Sequence, residues 1–191
     1  MAKLTQFLLP QNIRQGILCS SKKRALEMVV DIVAEQLGLD EQLCFEQIFS
    51  REKMGCTGIG GGIALPHAKL PQGDKPIAVF LQLATPVDYH SADRREVDLI
   101  YALLIPAQSC SVCASVLPDL AKQLSDKALN KQLRAAQSAD EIWEIFQYFD
   151  AYNENKSEVA EIETEIKTEK EEQKTNDNIM GFGERHGTYY Y

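Results

Sequence analysis

The sequence predicts an α/β domain whose sheet carries helices on both faces, followed by an acidic tail. Three observations lead there. Residues 97–105 contain the nearly unbroken apolar run Leu99-Ile-Tyr-Ala-Leu-Leu-Ile, and residues 77–83 are almost as apolar; strands of that kind are covered on both sides. Segments with apolar residues at helical spacing flank these runs on either side. The composition then changes at residue 151. With 191 residues and 45% hydrophobic content, one substantial core is affordable, so residues 1–150 are expected to form a single domain.

Taken in order, residues 1–19 give no firm element beyond a short strand or helix, with residues 13–18 touching the core. Ser20 or Ser21 is a good N-cap for a helix to Leu37, in which Leu26, Val29, Val30, Val33, Ala34 and Leu37 make one apolar face, and Gly38 ends it. Asp40 caps a second helix to Arg51 with Leu43, Cys44, Ile48 and Phe49 inward; a cation such as Arg51 suits a helix C-terminus. Strands are predicted over 63–68, 77–83 and 97–105, with a loop over 84–96. A helix over 111–124 contains Pro118, which should kink it or delay its start. Asp126 caps a helix over 128–135. Ser138-Ala-Asp-Glu141 is a capping box for a helix through Ile142, Ile145, Phe146 and Phe149, with Trp143 at the core edge.

Residues 151–191 hold five basic and ten acidic residues, a large share of the chain's net charge of −8. Aliphatics are sparse there, so the expectation is a disordered acidic tail; Val159, Ile162 and Ile166 at helical spacing leave a solvated helix as the alternative. The terminal Tyr cluster reads equally as a partner-docking peptide or as a segment without function. The acidic balance argues against nucleic acid as a partner. There is no secretory leader and no run of the roughly 18 apolar residues that membrane insertion requires. Five cysteines, an odd number, suit free thiols in a reducing compartment, and a cytoplasmic protein is expected.

The chemistry concentrates in residues 51–70. Gly55, Gly58, Gly60, Gly61 and Gly62 are five of the eleven glycines, a density that reads as a loop shaped for close approach. Ile63-Ala-Leu and Pro66 follow, and then His67, expected at the rim of a strand. A neutral imidazole is a nucleophile near pH 7, loop amides can hold phosphoryl oxygens, and Arg51 and Lys53 can neutralise charge. A histidine that accepts a phosphoryl group is the sharpest reading; a surface histidine bonded to the backbone is the plain one. A nucleotide-binding loop is disfavoured, because no Gly-x-x-x-x-Gly-Lys-Ser/Thr occurs and the order is loop then strand. Asp88, Asp93 and Asp98 resemble a metal site only superficially, and neither metal nor cofactor is expected.

The string Arg51-Glu-Lys-Met-Gly-Cys-Thr-Gly-Ile-Gly-Gly-Gly-Ile-Ala-Leu-Pro-His67 resembles the signature of the fructose/mannitol-type IIA domains of the bacterial phosphoenolpyruvate-dependent phosphotransferase system, and within it the nitrogen-regulatory branch. The likeness extends through Ser20-Ser-Lys-Lys-Arg-Ala-Leu-Glu, Thr85-Pro-Val-Asp, Val97-Asp-Leu-Ile-Tyr-Ala-Leu-Leu-Ile-Pro-Ala and Leu133-Arg-Ala-Ala-Gln-Ser, about residues 5–150. The resemblance implies a mixed sheet sandwiched by helices, with His67 as phosphoryl acceptor and Arg51 beside it. The amides of Thr57, Gly58, Gly60, Gly61 and Gly62 would hold phosphate, with Lys53 as accessory. It implies a phosphotransferase-system component that takes phosphate from an HPr-like phosphocarrier. Without sugar-transport domains following in the chain, the implied role is regulatory, acting on targets such as transport or sensor proteins.

Cys110-Ser-Val-Cys113 has C-x-x-C spacing, but no second pair supplies a structural zinc. A thiol switch is one reading and two small helix residues the other. Counted from Pro106, Cys113 stands where the family carries a second histidine near the acceptor. A cysteine is a poor donor and carries no positive charge. A non-enzymatic regulatory binding protein on the same fold is therefore the alternative, with His90 as a substitute only if its loop folds over the site.

Overall fold

In the computed structural model the backbone is described for residues 2–186, and side chains for the same residues except 110, 112, 113 and 180–186. The chain divides into two compact units, Met1–Asp150 and Ala151–Tyr191. The first holds a six-stranded mixed sheet. Its strands are β1 (Leu8–Ile17), β2 (Gly58–Gly60), β3 (Ile63–Ala64), β4 (His67–Leu70), β5 (Ile77–Val87) and β6 (Val97–Pro106). The order is β1-β5-β6-β3-β2, with β4 also pairing to β6. β5 and β6 are antiparallel, whereas β1 lies parallel to β5 and both β3 and β4 lie parallel to β6.

Period-two alternation on the two long strands builds two cores. Val79, Leu81, Ile100, Ala102 and Leu104 face Val29, Val33 and Ile48 from helices α1 (Lys22–Leu37) and α2 (Glu41–Met54). Phe80, Leu99, Tyr101 and Leu103 face the other way. They meet Leu120, Leu133, Ile142 and Phe146 from α3 (Cys110–Leu124), α4 (Lys127–Ala135) and α5 (Ala139–His186). The doubly buried strands thus follow from their continuous apolarity.

The caps fall where the sequence places them. Ser21 accepts from Arg24 N–H, Asp40 from Leu43, Asp126 from Leu129 and Ser138 from Glu141, while Gly38 takes the left-handed φ of 63° that ends α1. Four expectations need correction. Residues 8–17 form a full strand; it reads poorly because it is an edge strand carrying Pro10, interrupted register and many polar residues. β5 continues through residues 84–87, expected as loop, to pair Val87 with Val97. The strand over 63–68 is two strands broken at Leu65-Pro66, where Pro66 lacks an N–H and its carbonyl accepts from Leu103. Of the two outcomes expected of Pro118, a kink or a delayed start, the delay does not occur: Pro118 lies inside α3, which already begins at Cys110.

In the second unit, residues 151–186 are helical, as in the solvated-helix alternative to a disordered tail, with the side chains described there largely exposed. Glu, Lys, Gln and Ala are strong helix formers, and that propensity offsets the missing apolar face. The terminal Tyr cluster lies outside the described residues.

Candidate functional site

His67 is the first residue of β4, paired in register with Leu103 of the central strand β6. Its ring is half-buried, and Nδ1 lies 2.9 Å from the carbonyl of Leu65. A carbonyl only accepts, so Nδ1 carries the proton and Nε2 keeps its lone pair. Arg51 Nε–H donates to that Nε2 at 3.3 Å, and Arg51 Nη1 donates to the Gly55 carbonyl at 2.9 Å. The guanidinium therefore both closes the last turn of α2 and stands beside the histidine lone pair.

The pair opens into a cleft of about 560 Å³ between α2 and α3. Gln47, Ser50 and Met54 line one wall, Ala114 and Leu117 the other. Lys69 also lines it, two residues after His67 on the same strand. The alternation of strand side chains could have found Lys69 in the sequence, since residues i and i+2 share a face. Lys53 is a different case: its ammonium sits 5.0 Å over the Phe49 ring and it is not among the residues lining the cleft.

The glycine loop is not a cradle around the histidine. Ile63 pairs with Leu99 and His67 with Leu103, so Gly62 lies beyond a point roughly 13 Å along the strand from His67. Gly61 N–H is taken by Asp93 at 2.9 Å, and Gly58 N–H by the Cys56 sulfur at 3.3 Å. Gly60, Gly61 and Gly62, all with positive φ, make the tight turn between β2 and β3. Thr57 is buried; its amide and hydroxyl both donate to the Glu52 carboxylate.

That carboxylate was not singled out in the sequence. Glu52 pairs with Lys22 at 2.8 Å and accepts from the Tyr89 hydroxyl at 3.1 Å. Burial, and then the neighbouring Glu52 charge, push the Tyr89 phenol well above its ordinary range, so it stays a donor. Thirty residues separate Lys22 from Glu52 in the chain, and no local pattern joins them.

The side chains of Cys110 and Cys113 lie outside those described; Ala114, the residue after Cys113, lines the cleft. His90 is exposed, 3.5 Å from Asp88, and is not a lining residue. Asp93 caps backbone amides and Asp98 pairs with Arg134 at 2.8 Å. Among the described residues no group of three or more potential metal ligands occurs, and no helix is long and apolar enough to cross a membrane.

A family described as the phosphoenolpyruvate-dependent sugar phosphotransferase system EIIA 2 matches residues 6–148. The chain belongs to that family. This EIIA 2 chain is 50% identical over 163 residues to a nitrogen regulatory protein homolog of Haemophilus influenzae, covering 83% of its own length and 99% of the relative's. It is 44% identical over 144 residues to the nitrogen regulatory protein of Escherichia coli, covering 75% and 88%. The crystal structure of the nitrogen regulatory protein IIA-Ntr from Neisseria meningitidis superposes with a TM-score of 0.70 at 30% identity, over 75% of this chain and 98% of that one. The mannitol IIA of Escherichia coli, 22% identical with a TM-score of 0.60, shares the fold.

Proposed function

We propose that the Met1–Asp150 unit is a regulatory phosphocarrier in which His67 Nε2 accepts a phosphoryl group from a phosphohistidine of an HPr-like protein. The observation that carries this reading is the Leu65 carbonyl on Nδ1, which leaves the Nε2 lone pair facing the cleft beside Arg51. Nε2 attacks phosphorus, the Nε2–P bond forms as the donor's N–P bond breaks, and the donor ring, protonated on its other nitrogen, leaves as neutral imidazole with the electron pair. No proton need move. The positive charge that develops on the His67 ring is held by the Nδ1–H bond to Leu65. The Arg51 fork turns from Nε2 to the phosphoryl oxygens, with Lys69 as a second cation. No cofactor takes part.

The modified ring carries up to about two added negative charges, which alters which partner surfaces fit the cleft. A solved complex pairs the mannitol IIA with a phosphorylated IIB protein, and that chain shares this fold at 21% identity and a TM-score of 0.58. The partners of this chain dock over the His67 cleft, and they include regulated transport or sensor proteins in the cytoplasm. The names of its relatives, nitrogen regulatory proteins, support a role for this regulation in nitrogen control.

Incubation with phosphoenolpyruvate and the general phosphotransfer proteins, followed by intact mass analysis, tests the reading. One phosphate should add to the wild type and none to His67→Gln. Arg51→Gln should slow the transfer about a hundredfold, the scale of one lost transition-state contact. Wild type that gains no phosphate would leave the second reading, a non-enzymatic binding protein with a Cys110/Cys113 thiol switch. The sequence observation favouring that reading is Cys113 at the position of the second histidine.

A further inference from the structure

Resting on the acceptor role of His67, we propose that Glu52 is the positioning residue that aligns both members of the His67–Arg51 pair. Its carboxylate is almost wholly enclosed, with 4% of the side chain exposed against 17% for its partner Lys22. Four donors converge on it: Lys22 Nζ, Thr57 N–H, the Thr57 hydroxyl and the Tyr89 hydroxyl. Lys22 is itself fixed by the Tyr89 carbonyl at 3.4 Å and the Tyr89 ring at 4.3 Å.

Two arms run from this cluster to the reacting atoms. In the first, the Thr57 carbonyl accepts from Leu65 N–H at 2.9 Å, and the Leu65 carbonyl accepts from His67 Nδ1 at 2.9 Å. In the second, Gly55 N–H donates to the Glu52 backbone carbonyl at 3.2 Å, and the Gly55 carbonyl accepts from Arg51 Nη1 at 2.9 Å. The Glu52 carboxylate therefore pins Thr57 at the end of α2, while the Glu52 main-chain carbonyl holds Gly55, so that residues 55–57 are fixed at both ends and the Arg51 arm depends on the carboxylate only through Thr57. That short segment places one carbonyl directly under Arg51 and, through Leu65, another under His67. An acceptor with two oxygens and a full charge is required, because an amide offers one acceptor oxygen to four donors.

The test uses the full chain. Glu52→Gln and Tyr89→Phe are compared with wild type by the 15N shifts of the His67 ring and by the rate of phosphoryl uptake, at a temperature where circular dichroism shows each protein folded. Wild type should show His67 almost entirely as the Nδ1–H tautomer. Glu52→Gln should mix the two tautomers and slow uptake by about tenfold to a hundredfold, the scale of a misplacement of about 1 Å. Tyr89→Phe, which keeps the ion pair, should move both readouts the same way by less. A folded Glu52→Gln protein with an unchanged tautomer and rate overturns the proposal. Should Glu52→Gln fail to fold, an unchanged tautomer and rate in Tyr89→Phe overturns it. Loss of stability alone would mark an ordinary buried ion pair and would also overturn it. A wild type that takes up no phosphate, while Glu52→Gln still mixes the tautomers, would refute the acceptor role and leave the positioning intact.

Discussion

Asp150 marks where the folded unit ends, and its removal should be costly. Its carboxylate accepts from Leu4 N–H at 2.8 Å, Thr5 N–H at 3.0 Å and the Thr5 hydroxyl at 2.7 Å. Leu4 is fully buried, and its carbonyl takes the hydroxyl of the enclosed Tyr101 at 2.7 Å. Hydrogen bonds to a charged acceptor are worth about 1.5–3 kcal/mol each, and they are not additive when the donors share one carboxylate. Thr5 can turn to water after the loss, whereas the Leu4 N–H is left unpaired in the core. Asp150→Ala should therefore destabilise by about 3 kcal/mol, lowering Tm by about 6–12 °C for a unit of this size. Asp150→Asn keeps one acceptor oxygen and should lose about half as much. A chain cut after Asp150 should melt within about 2 °C of the full chain, since the residues removed bury so little. Urea titration followed through Trp143 and differential scanning calorimetry both read these values. A loss under about 1 kcal/mol in Asp150→Ala, or a truncated chain as weak as that variant, would refute the reasoning.

Two further outcomes follow from the same coordinates. Gly62→Ala should cost about 2 kcal/mol or more in urea unfolding, because φ is +83° and the new methyl would meet Arg134 at 2.7 Å, Asp98 at 3.1 Å and the Glu96 carbonyl at 3.3 Å. The Asp93 carboxyl is held below the ordinary aspartate range, first by the Gly61 amide and then by that of Arg95. A lowered folded value means that its support of the β2–β3 turn is complete above the unfolded pKa and is lost as pH falls through the folded one. The Gly61 amide shift, followed by NMR through acid titration, should therefore have its midpoint below that of a free aspartate; a midpoint at or above it would contradict the assignment.

The parts of the fold that were legible in the sequence are those with local signatures. Continuous apolarity marked β5 and β6, and Ser21, Gly38, Asp40, Asp126 and Ser138 marked helix ends. His67 and Arg51 were legible because a proline-histidine step behind a glycine loop is distinctive. The loop itself was misjudged. Glycine density signals positive φ, and here that serves a hairpin turn whose Gly61 amide pairs with Asp93, some thirty residues away. The Lys22–Glu52–Thr57–Tyr89 cluster joins three separate stretches, and only the folded chain brings them together. β1 was legible only as a short strand or helix, because an edge strand can carry Pro10 and polar residues that a central strand would reject.

The pairing of β1 with β5 bears on how the chain folds as well as on its final shape. Residues 8–17 align in parallel with residues 78–83, so β1 has no sheet neighbour until about sixty more residues have been made. Its polar sequence keeps the waiting segment soluble in the interval. Closing so long a loop before any contact rewards it slows the search, and places the joining of this edge late among folding events.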